Sequence, residues 1–139
     1  MRRNERGQAL IETILLGLVF MAPLLWGLGV LADLHRTALA ATSAAREAGF
    51  EAARSVSLTG ARKNAERAIA QAFMDHDLDP AHARVKWSFT RLQRGAPIQV
   101  IVSYPTTVLQ APFIGRVAGP SIWVHAKTVA RIDPYRSRR

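Results

Sequence analysis

The sequence predicts an α+β protein: a long N-terminal transmembrane helix that continues into a small domain, with a second helix packed on a three-stranded antiparallel sheet. Three observations carry that reading. The run QALIETILLGLVFMAPLLWGLGVLA, from Gln8 to Ala32, holds a single charge, Glu12. The next stretch, Asp33 to Arg54, has no proline, one glycine, and eight alanines between Ala38 and Ala53. After Ala83 the apolar residues recur at every second position instead of every third or fourth.

The apolar run comes first. From Thr13 to Ala32 nothing is ionisable, and twenty residues at about 1.5 Å each match the roughly 30 Å hydrocarbon core of a bilayer. The flank MRRNERG is basic and Asp33 follows the run, which places the N-terminus in the cytoplasm and everything from Asp33 onward outside. Pro23 removes one helical hydrogen bond and is expected to kink the span. Gly17, Gly27 and Gly29 would let other helices approach closely within the bilayer. Alanine, the strongest helix former, carries the helix past the membrane, so span and extension together make one rod of roughly 60 Å.

Glu12 is the informative residue of this segment. A carboxylate at the edge of an apolar helix costs on the order of a few kcal/mol unless it stays at headgroup level or finds a partner. Its distance from Gly7 offers such a partner. A cut between Gly7 and Gln8 would make Gln8 the new N-terminus and Glu12 the fifth residue of the mature chain. A short basic leader, Gly, four residues, Glu and an apolar helix form the pattern cut by a prepilin peptidase. The new amine and the carboxylate could then neutralise each other between adjacent subunits in a medium of low dielectric. A competing site is Val30-Leu31-Ala32, which has the small residues of a signal-peptidase site and would release a domain starting at Asp33. The apolar run is about twice the 7–15 residues usual for a shed signal, which argues for retention.

Beyond the rod, a second helix is expected from Ala61 to Met74. Ala65, Ala68, Ile69, Ala72 and Phe73 form its apolar stripe, opposite Arg62, Glu66 and Arg67. Thr59-Gly60 is the break before it, and Asp79-Pro80 ends the region. Val85, Trp87 and Phe89 then alternate with Lys86, Ser88 and Thr90, and Arg94-Gly95-Ala96-Pro97 turns the chain. Ile98, Val100, Val102 and Tyr104 make the returning strand of a hairpin. A Pro- and Gly-rich loop is expected from Pro105 to Pro120. The last strand, Ile122 to Ile132, sets Ile122, Val124, Ala126, Thr128 and Ala130 against Trp123, His125, Lys127 and Arg131. The expected organisation is a leader (1–7), a transmembrane helix (8–32), an extracytoplasmic helical extension (33–58), an α+β head domain (59–132) and a basic tail (133–139).

Composition removes several function classes. The 139 residues contain no cysteine, which excludes disulfides, thiol chemistry and Cys-based zinc sites. The formal charge of +9 comes from scattered arginines with no aromatic-interleaved stripe, which argues against a nucleic-acid partner and for a solvated or membrane-surface role. His35, His76, His82 and His125 are too dispersed to indicate a metal site. Asp75, Asp77 and Asp79 are spaced like the start of a calcium loop, but Pro80 and Lys86 stand where it needs Gly and Glu. A solvated, turn-forming helix end explains them better. No nucleophile elbow, phosphate loop or carboxylate pair is present, so no enzymatic activity and no cofactor are expected. Trp123, Tyr104 and Phe113 could serve as adhesive or subunit contacts, but core packing is their expected role.

The segment Arg-Gly-Gln-Ala-Leu-Ile-Glu from Arg6 to Glu12, the apolar run ending in Leu-Trp-Gly-Leu-Gly, and Ser-Ala-Ala-Arg-Glu-Ala-Gly from Ser43 to Gly49 resemble the TadE-like family. These are small pilin-like proteins of tight-adherence (Tad, type IVc) pili. Val102-Ser103-Tyr104-Pro105 and the terminal Ala/Val strand fit the same outline. Pro23 stands further from Glu12 than is common in that family, and Thr13 replaces a frequent aromatic. The resemblance implies a minor pilin or pseudopilin, cut by a prepilin peptidase at Gly7–Gln8 and using Glu12 in subunit assembly. It would act in assembly or initiation of an adhesive pilus. Its partners would be the membrane, the peptidase, other pilins and the inner-membrane assembly platform. Its place would be the bacterial inner membrane, single-pass, or the pilus itself. The alternative is an exported or membrane-anchored extracytoplasmic binding domain outside any filament.

Overall fold

The fold is described from a computed structural model that covers residues 3–88, 95–107 and 120–132, with side chains from residue 7 onward. The hairpin residues Phe89, Thr90 and Arg94, the loop after Thr107 with Phe113, and the basic tail lie outside the described residues.

Helix α1 runs from Arg3 to Arg54, 52 residues without interruption, which at about 1.5 Å per residue is a rod of about 78 Å. It passes through Pro23, whose single missing donor does not end it. Alanine governs what happens above the apolar run. Ala40, Ala41, Ala44, Ala45, Ala48 and Ala52 are all at most 1% exposed and span an arc of about 140° of the helix circumference. Small side chains over so wide an arc allow two neighbours at once: α2 on one side and the sheet on the other.

Helix α2 spans Leu58–Met74, one turn earlier than the sequence break at Thr59-Gly60 implied. Ser57 is the reason, because its extended backbone and Oγ, accepting the Gly60 N–H at 3.1 Å, cap the helix there. The α1–α2 corner is tied by Ser55, whose Oγ donates to the Glu51 carbonyl at 2.7 Å and accepts from Asn64 Nδ2 at 3.3 Å. Ala61, Ala65, Ile69, Ala72 and Phe73 form the buried stripe. The helix ends at Met74, as expected. The Leu78 N–H bonds back to the Phe73 carbonyl and the Asp77 N–H to the Met74 carbonyl, both at 3.0 Å, with Asp77 in the left-handed region at φ 55°. Asp79 caps a separate single turn, Pro80–His82, by accepting the Ala81 N–H at 2.9 Å.

Strands β1 (Arg84–Ser88), β2 (Pro97–Thr107) and β3 (Ser121–Arg131) form an antiparallel sheet with β2 in the centre. Gly95, at φ 71°, makes the turn into β2. The expected loop from Pro105 is shortened, because β2 continues to Thr107. Pairing with β1 stops at Ser103, so Pro105 has only β3 beside it and its missing N–H is tolerated as on an edge strand. Ile98, Val100, Val102 and Tyr104 point inward, with Val124 and Ala126 of β3 packed against the same core. Phe73 stacks on Tyr104 with ring centroids 4.8 Å apart, bringing the end of α2 onto the sheet.

The upper half of α1 is therefore the central element of the head, contacting α2, β2 and β3. Its axis follows the strands. Gly49 meets Thr128 and Ala130 of β3, while Asp33, Arg36 and Thr37 border Tyr104–Thr107 of β2. Asp33 to Gly49 rises about 24 Å along the helix, and Val100 (paired with Thr128) to Thr107 covers about the same along the strand.

Candidate functional site

The bare lower half of α1 is the first functional surface. Nearly all large apolar side chains from Leu10 to Leu31 are exposed, Leu18 at 67% and Phe20 at 69%. A patch of this extent on a water-soluble domain would be exceptional. Among the described residues α1 is the one helix long and apolar enough to cross a membrane.

Gly7 and Gln8 both lie inside α1, so the bond between them is held in helical backbone. Gln8 and Glu12 are four residues apart and share one face, a turn distant. An amine created at Gln8 would therefore lie one helical turn from Glu12 of its own chain. Glu12 is exposed and has no hydrogen bond or ion pair among the described residues. Beside it, the Thr13 hydroxyl donates to the Ala9 carbonyl at 2.8 Å.

Gly17, Gly27 and Gly29 have open space where a Cβ would stand. At 100° per residue they point in three well-separated directions, so they make local notches and not one seam. Pro23 is likewise exposed within α1.

The head presents a second surface, the outer face of the sheet. Direct cross-strand neighbours put Arg84, Ser103 and His125 in one row and Lys86, Ile101 and Lys127 in the next, with Arg131 opposite Pro97. The Arg84 guanidinium lies 4.2 Å from the Trp123 ring centroid, and Ser103 Oγ is 2.7 Å from His125 Nδ1. Trp123 is thus on this outer face with His125 and Lys127, as the alternation of β3 implied, and not in the core where its size suggested packing. Tyr104 is the core aromatic of that set. The signal for this basic face was in the sequence: no Asp or Glu occurs from Pro80 to Ile132.

Tyr104 is buried at 7% exposure, and burial first, then the nearby Asp79 carboxylate, raise its pKa above the ordinary value; an Asp79 backbone hydrogen bond opposes them. Where the head begins on α1, a cavity of about 230 Å³ is lined by Asp33, Arg36, Thr37, Leu78 and Tyr104–Thr107. Asp33 and Arg36 form an ion pair there at 2.6 Å, both about half exposed. Between α1 and α2 an open groove is lined by Glu47, Phe50, Asn64 and Arg67, with Phe50 68% exposed.

His35, His76, His82 and His125 do not converge, and no group of three or more potential metal ligands exists among the described residues. Asp75 accepts from Gln71 Nε2 at 2.8 Å, Asp77 closes α2, and Asp79 caps the following turn. No protein family, curated protein or solved structure matches the chain.

Proposed function

We propose that this chain is a minor pilin or pseudopilin of the TadE-like kind, anchored by α1 in the bacterial inner membrane with its head outside. A prepilin peptidase cuts it between Gly7 and Gln8, and it serves in assembly or initiation of a tight-adherence pilus. The observation that supports this reading best is the division of α1: an uncovered apolar half carrying Gly7 and Glu12, and an alanine-rich half that forms the centre of a small α+β head. One rigid helix then links any movement of the head to the membrane segment.

Glu12, fifth residue of the cut chain, neutralises the new amine of Gln8, either its own or a neighbour's. The helical state of the Gly7–Gln8 bond means that the first turns open before the peptidase acts, and Gly7 assists by weakening the helix by about 1 kcal/mol relative to alanine. No catalysis is assigned to the chain, and its partners are the peptidase, other pilins and the assembly platform. Sequencing the mature N-terminus tests the proposal. Gln8 supports it; Asp33 would indicate a shed domain and Met1 a plain anchor. The basic outer sheet face, Arg84, Lys86, Lys127 and Arg131 around Trp123, favours one alternative, an anchored domain that binds an acidic partner outside any filament. Normal piliation in a strain lacking this chain would select that alternative.

A further inference from the structure

The geometry points to a binding site for a zwitterionic phospholipid headgroup, phosphoethanolamine, in the cavity between the foot of the head and α1. The inference rests on the anchored reading of α1 and deepens it. Three observations carry it.

The first is height. Asp33 directly follows the apolar run, and Thr37 is about 6 Å further along the helix axis. A bilayer adds roughly 5–8 Å of headgroup layer on each side of its hydrocarbon core, so this cavity sits within that layer. Its volume of about 230 Å³ falls below the roughly 300–1,000 Å³ of pockets for drug-sized ligands.

The second is an unpartnered polar group. Thr106 lines the cavity at 8% exposure, and its Oγ1 has no hydrogen-bond partner among the described residues. Buried hydroxyls are nearly always bonded, so an orphan beside a cavity marks a missing acceptor. The neighbouring Thr37 hydroxyl is already used, donating to the Asp33 carbonyl at 2.9 Å.

The third is charge. The cavity holds one guanidinium, Arg36, and one carboxylate, Asp33, bonded to each other at 2.6 Å but each about half exposed. Such a pair is weak and readily exchanges partners. Arg36 with the Thr106 hydroxyl offers donors to a phosphate, and Asp33 offers an acceptor to an ammonium. The ammonium of phosphoethanolamine has three N–H donors for that carboxylate, whereas phosphocholine has none and phosphoglycerol carries no positive charge to balance it.

The test uses the full chain in nanodiscs holding equal parts of phosphatidylethanolamine, phosphatidylcholine and phosphatidylglycerol. Native mass spectrometry then reads the lipids retained on release. The expected result is enrichment of phosphatidylethanolamine several-fold over the other two. Thr106→Val should abolish the enrichment while leaving thermal stability equal or higher, since the orphan hydroxyl is gone. Asp33→Asn should shift the preference to phosphatidylglycerol. Soluble phosphoethanolamine or inorganic phosphate added in equal amount should leave the lipid enrichment unchanged, which identifies the membrane as the source. Equal retention of the three lipids, or enrichment that survives both substitutions, overturns the inference while the anchor stands. Failure of the chain to co-float with vesicles overturns both.

Discussion

Helix α1 approaches β3 so closely at Gly49 that a Cβ on that residue would stand 2.5 Å from Thr128 Cγ2 and 3.4 Å from Ala130 Cβ. Gly49 is therefore fixed by space, not by backbone conformation, and it sets the distance between the rod and the sheet. Gly49→Ala gains about 1 kcal/mol in helix propensity but meets an overpacking cost of about 1–3 kcal/mol. Net destabilisation is expected, with recovery in the Gly49→Ala, Thr128→Ser double variant, which lacks the clashing methyl. Thermal melts of the four proteins in detergent micelles, arranged as a double-mutant cycle, check this. Additive effects would show that the two residues do not touch.

Phe73 and Tyr104, stacked at 4.8 Å, join the end of α2 to the sheet. Phe73 is 0% exposed, so Phe73→Ala should lower stability by about 3–5 kcal/mol and Phe73→Leu by much less. Denaturant titration of the intact chain in micelles measures both. Equal losses for the two variants would contradict a size-dependent core contact.

Asp77 occupies the left-handed position that closes α2, where glycine is usual. Asp77→Gly should raise stability by about 1 kcal/mol through relief of that conformation. Asp77→Val should lower it, because a branched Cβ is worst tolerated there. A melting temperature that falls in the glycine variant would refute the assignment.

Tyr104 predicts an alkaline effect. Its folded pKa is raised, so the stability it contributes is fully present below the unfolded tyrosine value of about 10 and is lost as pH climbs through the folded value. Absorbance titration of the chain's two tyrosines should show one ionising above the ordinary value, and Tyr104→Phe should remove that step. Asp79→Asn should lower it, since the Asp79 carboxylate is the second cause of the shift.

Glu12→Ala should leave cutting at Gly7–Gln8 largely intact and reduce pilus assembly. The substitution removes a carboxylate that is costly near the hydrocarbon, so insertion itself is not impaired. Immunoblots of the processed chain and counts of sheared pili read the two effects separately. Normal piliation by this variant would dismiss charge neutralisation as the role of Glu12. Gly7→Ala acts earlier and should accumulate the uncut chain.

Local physics was enough to read much of this protein. The uncharged stretch from Thr13 to Ala32, the alanines from Ala38 to Ala53, and the alternation of Ile98, Val100, Val102 and Tyr104 each specify an element through composition or period alone. Their order implies an α+β head on a membrane-length helix, and the spacing of Gly7 and Glu12 is visible by counting. Boundaries were less legible. Ser57 caps α2 a turn before the apparent break, because a side-chain acceptor outweighs the nearby Gly60. Pro105 stays in β2 because only one neighbour remains beside it, a fact of sheet pairing.

Tertiary structure decided what lies next to what. Gly49 looked like an ordinary helical glycine until β3 came within contact of it. The Asp33–Arg36 pair has helix spacing that a sequence displays, yet Thr106 joins it only because β2 runs beside α1 and ends at its foot. Period and composition act within a few residues along the chain, so they determined the apolar run, the rod and the strands. Contacts between residues seventy apart depend on how those elements pack, and that packing alone created the cavity between α1 and the end of β2.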